Sequence, residues 1–188
     1  MRARIVALTA AAVLVGCDSG TVPSPAERQQ GSVGASAVAA NMVELRPEGL
    51  AAGSEAFYFA AGQREVEAAL AAALGPALRT GMNNECGAGP VTFTDFAGGL
   101  TAHFQEGLLV GWNWHLAQDG DAPPRGTVRL AGAVQVGSAR TVAEAAPGFA
   151  MVAGSTLGEE FALGERIGGF VADDKVEMLY AGTQCFFR

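Results

Sequence analysis

Histidine, cysteine and positive charge are all scarce in this chain, which has two histidines, three cysteines, and 12 Lys+Arg against 19 Asp+Glu. The shortage of bases excludes nucleic acid as a partner, because neutralising phosphates takes a concentrated basic surface. The two histidines, His103 and His115, fall on the outer side of a hairpin and well apart, whereas a metal site needs ligands that converge, so no metal is expected. The longest apolar run, Ile5 to Val15, falls short of the roughly 18 residues a membrane-spanning helix needs. No glycine-rich dinucleotide motif follows a first strand, which excludes a dehydrogenase, and no cofactor is expected. Gly154-Ser155-Thr156-Leu157-Gly158 carries its serine second, not central, and without acid and histidine partners it is no nucleophile elbow. Gly87-Ala88-Gly89-Pro90 has the wrong spacing for a phosphate loop, and its proline removes an amide such a loop would use.

The N-terminus is more informative. Arg2 and Arg4 precede the apolar run, which is the layout of a signal peptide over residues 1–16. Its ending, Leu14-Val15-Gly16-Cys17, resembles the lipobox of bacterial lipoproteins. That resemblance implies that Cys17 is alkylated by diacylglycerol and becomes the first residue of the mature chain. Two or three acyl chains, at about 0.8 kcal/mol per buried methylene, hold a water-soluble domain durably at a membrane surface. Asp18 resembles the enterobacterial signal for retention, so the periplasmic face of the inner membrane is favoured over the outer membrane. Residues 17–42 are small, polar and aperiodic, and are read as the lipidated cysteine followed by a flexible tether.

Two cysteines remain, Cys86 and Cys185, and an even pair in an exported chain reads as a disulfide. Neither has a nearby histidine motif that would make it a catalytic thiolate.

Past the tether, Phe57 to Ala69 lines up with Val134 to Ala146, each a strand running into a helix. Val66, Leu70 and Leu74 recur at helical spacing, and Gly75-Pro76 ends that helix; Pro147-Gly148 cuts the second one shorter. Phe93 to Trp114 and Phe161 to Ala181 both alternate as hairpins. In the first, Phe104 is expected opposite Leu108, Ala102 opposite Val110, Leu100 opposite Trp112 and Gly98 opposite Trp114, with Gly98 and Gly99 leaving room for the tryptophan rings. The expected fold class is therefore α+β, a tandem repeat of strand, helix and antiparallel β-meander. The first repeat spans 43–118, a joint spans 119–127, and the second repeat spans 128–188, with the disulfide joining the halves.

Paired acids occur at Glu159-Glu160 and Asp173-Asp174. Adjacent strand residues face opposite ways, so neither pair can act as general acid and base together, and the aspartates belong to a turn. The candidate binding loop is residues 82–90, where Asn83, Asn84 and Glu85 precede Cys86 in a polar, glycine-rich stretch pinned by the expected disulfide.

Glu85 to Pro90, Gly98-Gly99-Leu100, Val110-Gly111-Trp112, Ser155 to Gly158 and the ending Ala181 to Cys185 together resemble small lipoproteins of alphaproteobacterial type. The tandem pattern also resembles the β-lactamase-inhibitor-like fold of other envelope lipoproteins, a likeness of fold alone. These resemblances imply architecture and bring no site residues. The expectation is a membrane-anchored, periplasm-facing module, non-catalytic, that binds an envelope protein or cell-wall material. The alternatives are an envelope hydrolase built from Asn83, Asn84, Glu85 and Asp95, and a structural spacer.

Overall fold

The computed structural model describes residues 37–117 and 123–186. The expected signal peptide, Cys17, the tether up to residue 36, residue 118, residues 119–122 of the expected joint, and residues 187 and 188 lie outside the described residues.

Twelve strands carry the fold: β1 (Met42–Arg46), β2 (Gly49–Ala52), β3 (Glu55–Tyr58), β4 (Arg79–Asn83), β5 (Val91–Phe96), β6 (Leu100–Gln105), β7 (Leu108–His115), β8 (Thr127–Leu130), β9 (Phe149–Met151), β10 (Glu159–Leu163), β11 (Ile167–Ala172) and β12 (Lys175–Gly182). They form a four-stranded sheet in the order β3-β2-β1-β8 and an eight-stranded sheet in the order β4-β5-β6-β7-β12-β11-β10-β9. All pairings are antiparallel except β1 with β8, which is parallel.

The expected α+β tandem repeat is thereby overturned: the described residues are mostly β, with one full helix among them, α1 (Gln63–Leu74), and a single helical turn, α2 (Arg140–Glu144). Two local causes explain the failure of the match. Phe57 lies in β3, but its counterpart Val134-Gln135-Val136 forms no strand. There the Gln135 side chain bonds Leu130 N (2.9 Å), Leu130 O (3.1 Å) and Gly132 O (3.0 Å), closing a loop on itself. The supposed joint is also crossed by structure, since β8 starts at Thr127 and pairs with β1.

Helix α1 forms where it was expected. Val66, Leu70 and Leu74, with Ala69 and Ala73, make one buried stripe that touches both sheets. The helix ends at Gly75, whose φ of 106° is open to glycine and whose N–H bonds Ala71 O at 3.0 Å. Trp112 is the largest fully buried side chain, and its indole N–H reaches Arg46 O at 3.0 Å, tying the eight-stranded sheet to β1.

The β6–β7 hairpin differs from expectation by two residues of register: Ala102 pairs with Trp112 and Leu100 with Trp114, with a bulge at His103/Phe104. A two-residue turn, Glu106 (φ 52°) and Gly107 (φ 76°), in place of the expected three-residue one moves the register by one, pairing Phe104 with Leu109, and the bulge adds the second. Beyond the bulge the shift of two keeps the tryptophans pointing into the core, whereas next to the turn the shift of one exposes Leu108 and buries Leu109 in its place. Gly98 and Gly99 are not strand glycines; they turn the chain between β5 and β6, with Gly99 at φ 79° and its missing Cβ only 2.1 Å from His115 O. Asp173 and Asp174 make the β11–β12 turn at φ 49° and 58°.

Cys86 and Cys185 are disulfide-bonded across a Cα–Cα distance of 4.9 Å and 99 residues of sequence. The bond joins the loop after β4 to the segment after β12.

Candidate functional site

In the eight-stranded sheet, Phe96, Leu100, Ala102, Trp112, Trp114, Leu179 and Ala181 fill the core. Strand alternation therefore sends Asp95, Thr101, His103, Asn113, His115 and Tyr180 to the opposite, outer face. One cleft there, of about 310 Å³, is lined by Leu78, Arg79, Asp95, Gly99, Thr101 and His115, and by Phe96 and Leu100, whose side chains point into the core.

The register builds its polar wall. Arg79 pairs with Asp95 and Asp95 with Thr101, one line across three strands. Arg79 donates to Asp95 Oδ2 from Nε at 2.8 Å and from Nη2 at 2.7 Å, while Thr101 Oγ1 donates to Oδ1 at 2.8 Å. The guanidinium also lies 5.0 Å over the Phe93 ring. His115 Nδ1 donates to Leu116 O at 2.8 Å, since a carbonyl only accepts. Arg79 Nη1 and His115 Nε2 are thus left as two polar groups for a ligand.

Strand parity puts His103 on the outer face, yet it is buried, contrary to the expectation that both histidines are exposed. The C-terminal segment covers it. The chain turns at Gly182 (φ 72°), and Thr183 O then accepts from His103 Nδ1 at 3.0 Å while His103 Nε2 accepts from Asn113 Nδ2 at 3.1 Å. Gly111 makes the crossing feasible, since a Cβ there would sit 2.5 Å from Thr183 O. Burial pushes the His103 pKa below its ordinary 6.5, against the opposing pull of the Thr183 hydrogen bond and the Asp95 charge.

The expected binding loop does not join this cleft. Asn83 Oδ1 accepts from Glu85 N at 2.9 Å, an internal turn, and Gln105 Nε2 holds Ala88 O at 2.7 Å. Asn84 and Glu85 are exposed. Asn83 lies four residues along β4 from Arg79, roughly 13 Å at strand rise, so Asn83, Asn84 and Glu85 do not converge on Asp95 as the hydrolase alternative requires.

Glu159 and Glu160 do face opposite ways. Glu159 pairs with Arg140 at 2.5 Å, while Glu160 is 1% exposed, held by Tyr180 Oη at 2.5 Å and Ser155 Oγ at 2.6 Å. Ser155 is thus a partner of a buried carboxyl group. Sequence reasoning missed this trio, and it missed Arg79 as the partner of Asp95; Tyr180–Glu160 and Arg79–Asp95 are contacts between strands that no local spacing announces. Among the described residues no group of three His, Cys, Asp or Glu is placed to hold a metal, and no helix is long and apolar enough to cross a membrane.

No family model, curated protein or solved structure matches this chain.

Proposed function

We propose that this chain is a membrane-anchored envelope lipoprotein whose folded part is a non-catalytic binding module facing the periplasm. The address is supported by the lipobox-like Leu14-Val15-Gly16-Cys17, and the disulfide suits an oxidising compartment. The observation that carries the binding reading is the cleft at Asp95. Its groups are held by cross-strand register, and both Asp95 oxygens are engaged by Arg79 and Thr101, so the carboxyl group orients its neighbours rather than shuttling protons. Arg79 Nη1 and His115 Nε2 supply two polar groups for recognition beside the exposed apolar side chain of Leu78.

A photo-crosslinking residue at Leu78, an exposed cleft residue, tests this in cells at native expression. The expected result is a discrete adduct that disappears in Arg79→Ala while folding is retained. The same adduct pattern with and without Arg79, or no adduct at all, contradicts the reading.

A further inference from the structure

A second hollow, of about 370 Å³, is walled by Leu157, Phe170, Met178 and Phe186, with Glu159 and Glu177 beside them. It belongs to β10, β11, β12 and the C-terminal segment, apart from the Asp95 cleft. Its aromatic part is rigid. Phe186 meets Phe170 edge-on at 5.4 Å and Tyr180 edge-on at 5.1 Å, and Phe170 lies 5.7 Å from Tyr180. The Tyr180 hydroxyl is anchored on Glu160, and the disulfide at Cys185 fixes the residue next to Phe186.

Its charged lining is negative. Glu159 and Glu177 line it, Asp173, Asp174 and Lys175 follow its lining residue Ala172 in the chain, and Arg140 pairs with Glu159, four acids to two bases in a chain of net charge −7. Arg140 is committed to Glu159 and to Asp174, at 2.5 and 3.2 Å. Glu177 is exposed and enters no ion pair among the described residues. An anion would be repelled here, and a neutral apolar group would leave the negative field unused.

We propose that this hollow binds an organic cation, an alkylammonium or guanidinium group on a short apolar stem. The stem lies against Leu157 and Met178, and the charge sits against the Phe170–Phe186 ring pair with Glu177 as counter-ion. The proposal is independent of the Asp95 cleft, and Arg79→Ala must leave it unchanged.

The test is a titration of the full, disulfide-bonded protein with choline and with its neutral isostere 3,3-dimethylbutan-1-ol, followed by NMR of the Phe170 and Phe186 rings. Choline is expected to shift these rings saturably and to bind roughly fivefold or more tighter than the alcohol. Glu177→Gln and Phe186→Leu, both gentle to the fold, are each expected to weaken choline roughly two- to fivefold and to leave the alcohol unchanged. Equal binding of the two probes, no saturable shift, or indifference to both substitutions overturns the proposal. Binding of choline only after residues 187 and 188 are removed would give the hollow to Arg188 of the same chain, and overturns it too.

Discussion

Replacing both Cys86 and Cys185 by serine opens a loop of about one hundred residues, since the bonded positions are 99 apart. In the chain-entropy account, a loop of that size limits the denatured chain by about 16 cal/mol/K, or about 4.7 kcal/mol at 25 °C. That is a large share of the roughly 5–15 kcal/mol that holds a domain folded. At about 2–4 °C per kcal/mol for a domain of this size, Tm should fall by roughly 10–19 °C. A native-state loss adds to this. The segment after Gly182 loses its anchor, and with it the His103–Thr183 hydrogen bond and the Phe186 ring contacts loosen. Guanidinium unfolding of the oxidised protein and the double serine variant measures the sum. The midpoint should drop, and the m-value should rise, because an unlinked denatured chain exposes more surface. A stability loss under about 1 kcal/mol with an unchanged m-value would refute the loop-closure reasoning.

His103 sets a pH dependence of definite sign. Its pKa is lowered in the fold, so as pH falls through the unfolded value of 6.5 the unfolded chain takes up the proton first. Stability is therefore full above pH 6.5, declines below it, and levels off beneath the folded pKa; His103→Gln should flatten that slope in urea titrations between pH 8 and 5. Leu70→Ala removes a fully buried side chain from the α1 stripe and should cost about 2–5 kcal/mol by chemical denaturation, while Met82→Ala, at a site 62% exposed, should change stability by less than about 0.5 kcal/mol. Gly99→Ala combines a positive φ with a backbone collision at His115 O and should cost more than about 2 kcal/mol in the same assay. Arg79→Ala breaks an ion pair whose arginine side chain is 70% exposed, so stability should move by less than about 1 kcal/mol even as the Leu78 adduct is lost.

What was legible in the sequence followed the range of the interactions. The α1 stripe and its Gly75 stop were readable because helical spacing and termination are local. Cys86 and Cys185 were paired by counting. The inward faces of Trp112 and Trp114 were readable from period-two alternation, and they survived a two-residue register error because the error was even. The register itself was not legible, since the two-residue turn at Glu106-Gly107 and the bulge at His103/Phe104 leave no mark in the alternation. The second half misled for a related reason. Val134-Gln135-Val136 has the composition of a strand, and the three bonds of the Gln135 side chain, with the turn that Gln135 closes on Ser138, make it a loop. The parallel pairing of β8 with β1 joins residues some 85 apart, a contact no window of sequence can show. The same limit hid the cleft. Asp95 was singled out, but its partner was sought in the neighbouring loop at Asn83 to Glu85, whereas the register delivers Arg79 from the far end of β4.

Intact-mass analysis of the protein extracted from membranes, with sequencing of its N-terminal peptide, tests the tethered reading most sharply. The account predicts a mature chain that begins at Cys17, lacks residues 1–16 and carries diacylglycerol on the thiol, with Cys17→Ser shifting the protein out of the membrane fraction. A chain with an unmodified Cys17 thiol, recovered equally in the soluble fraction with and without that substitution, would contradict it.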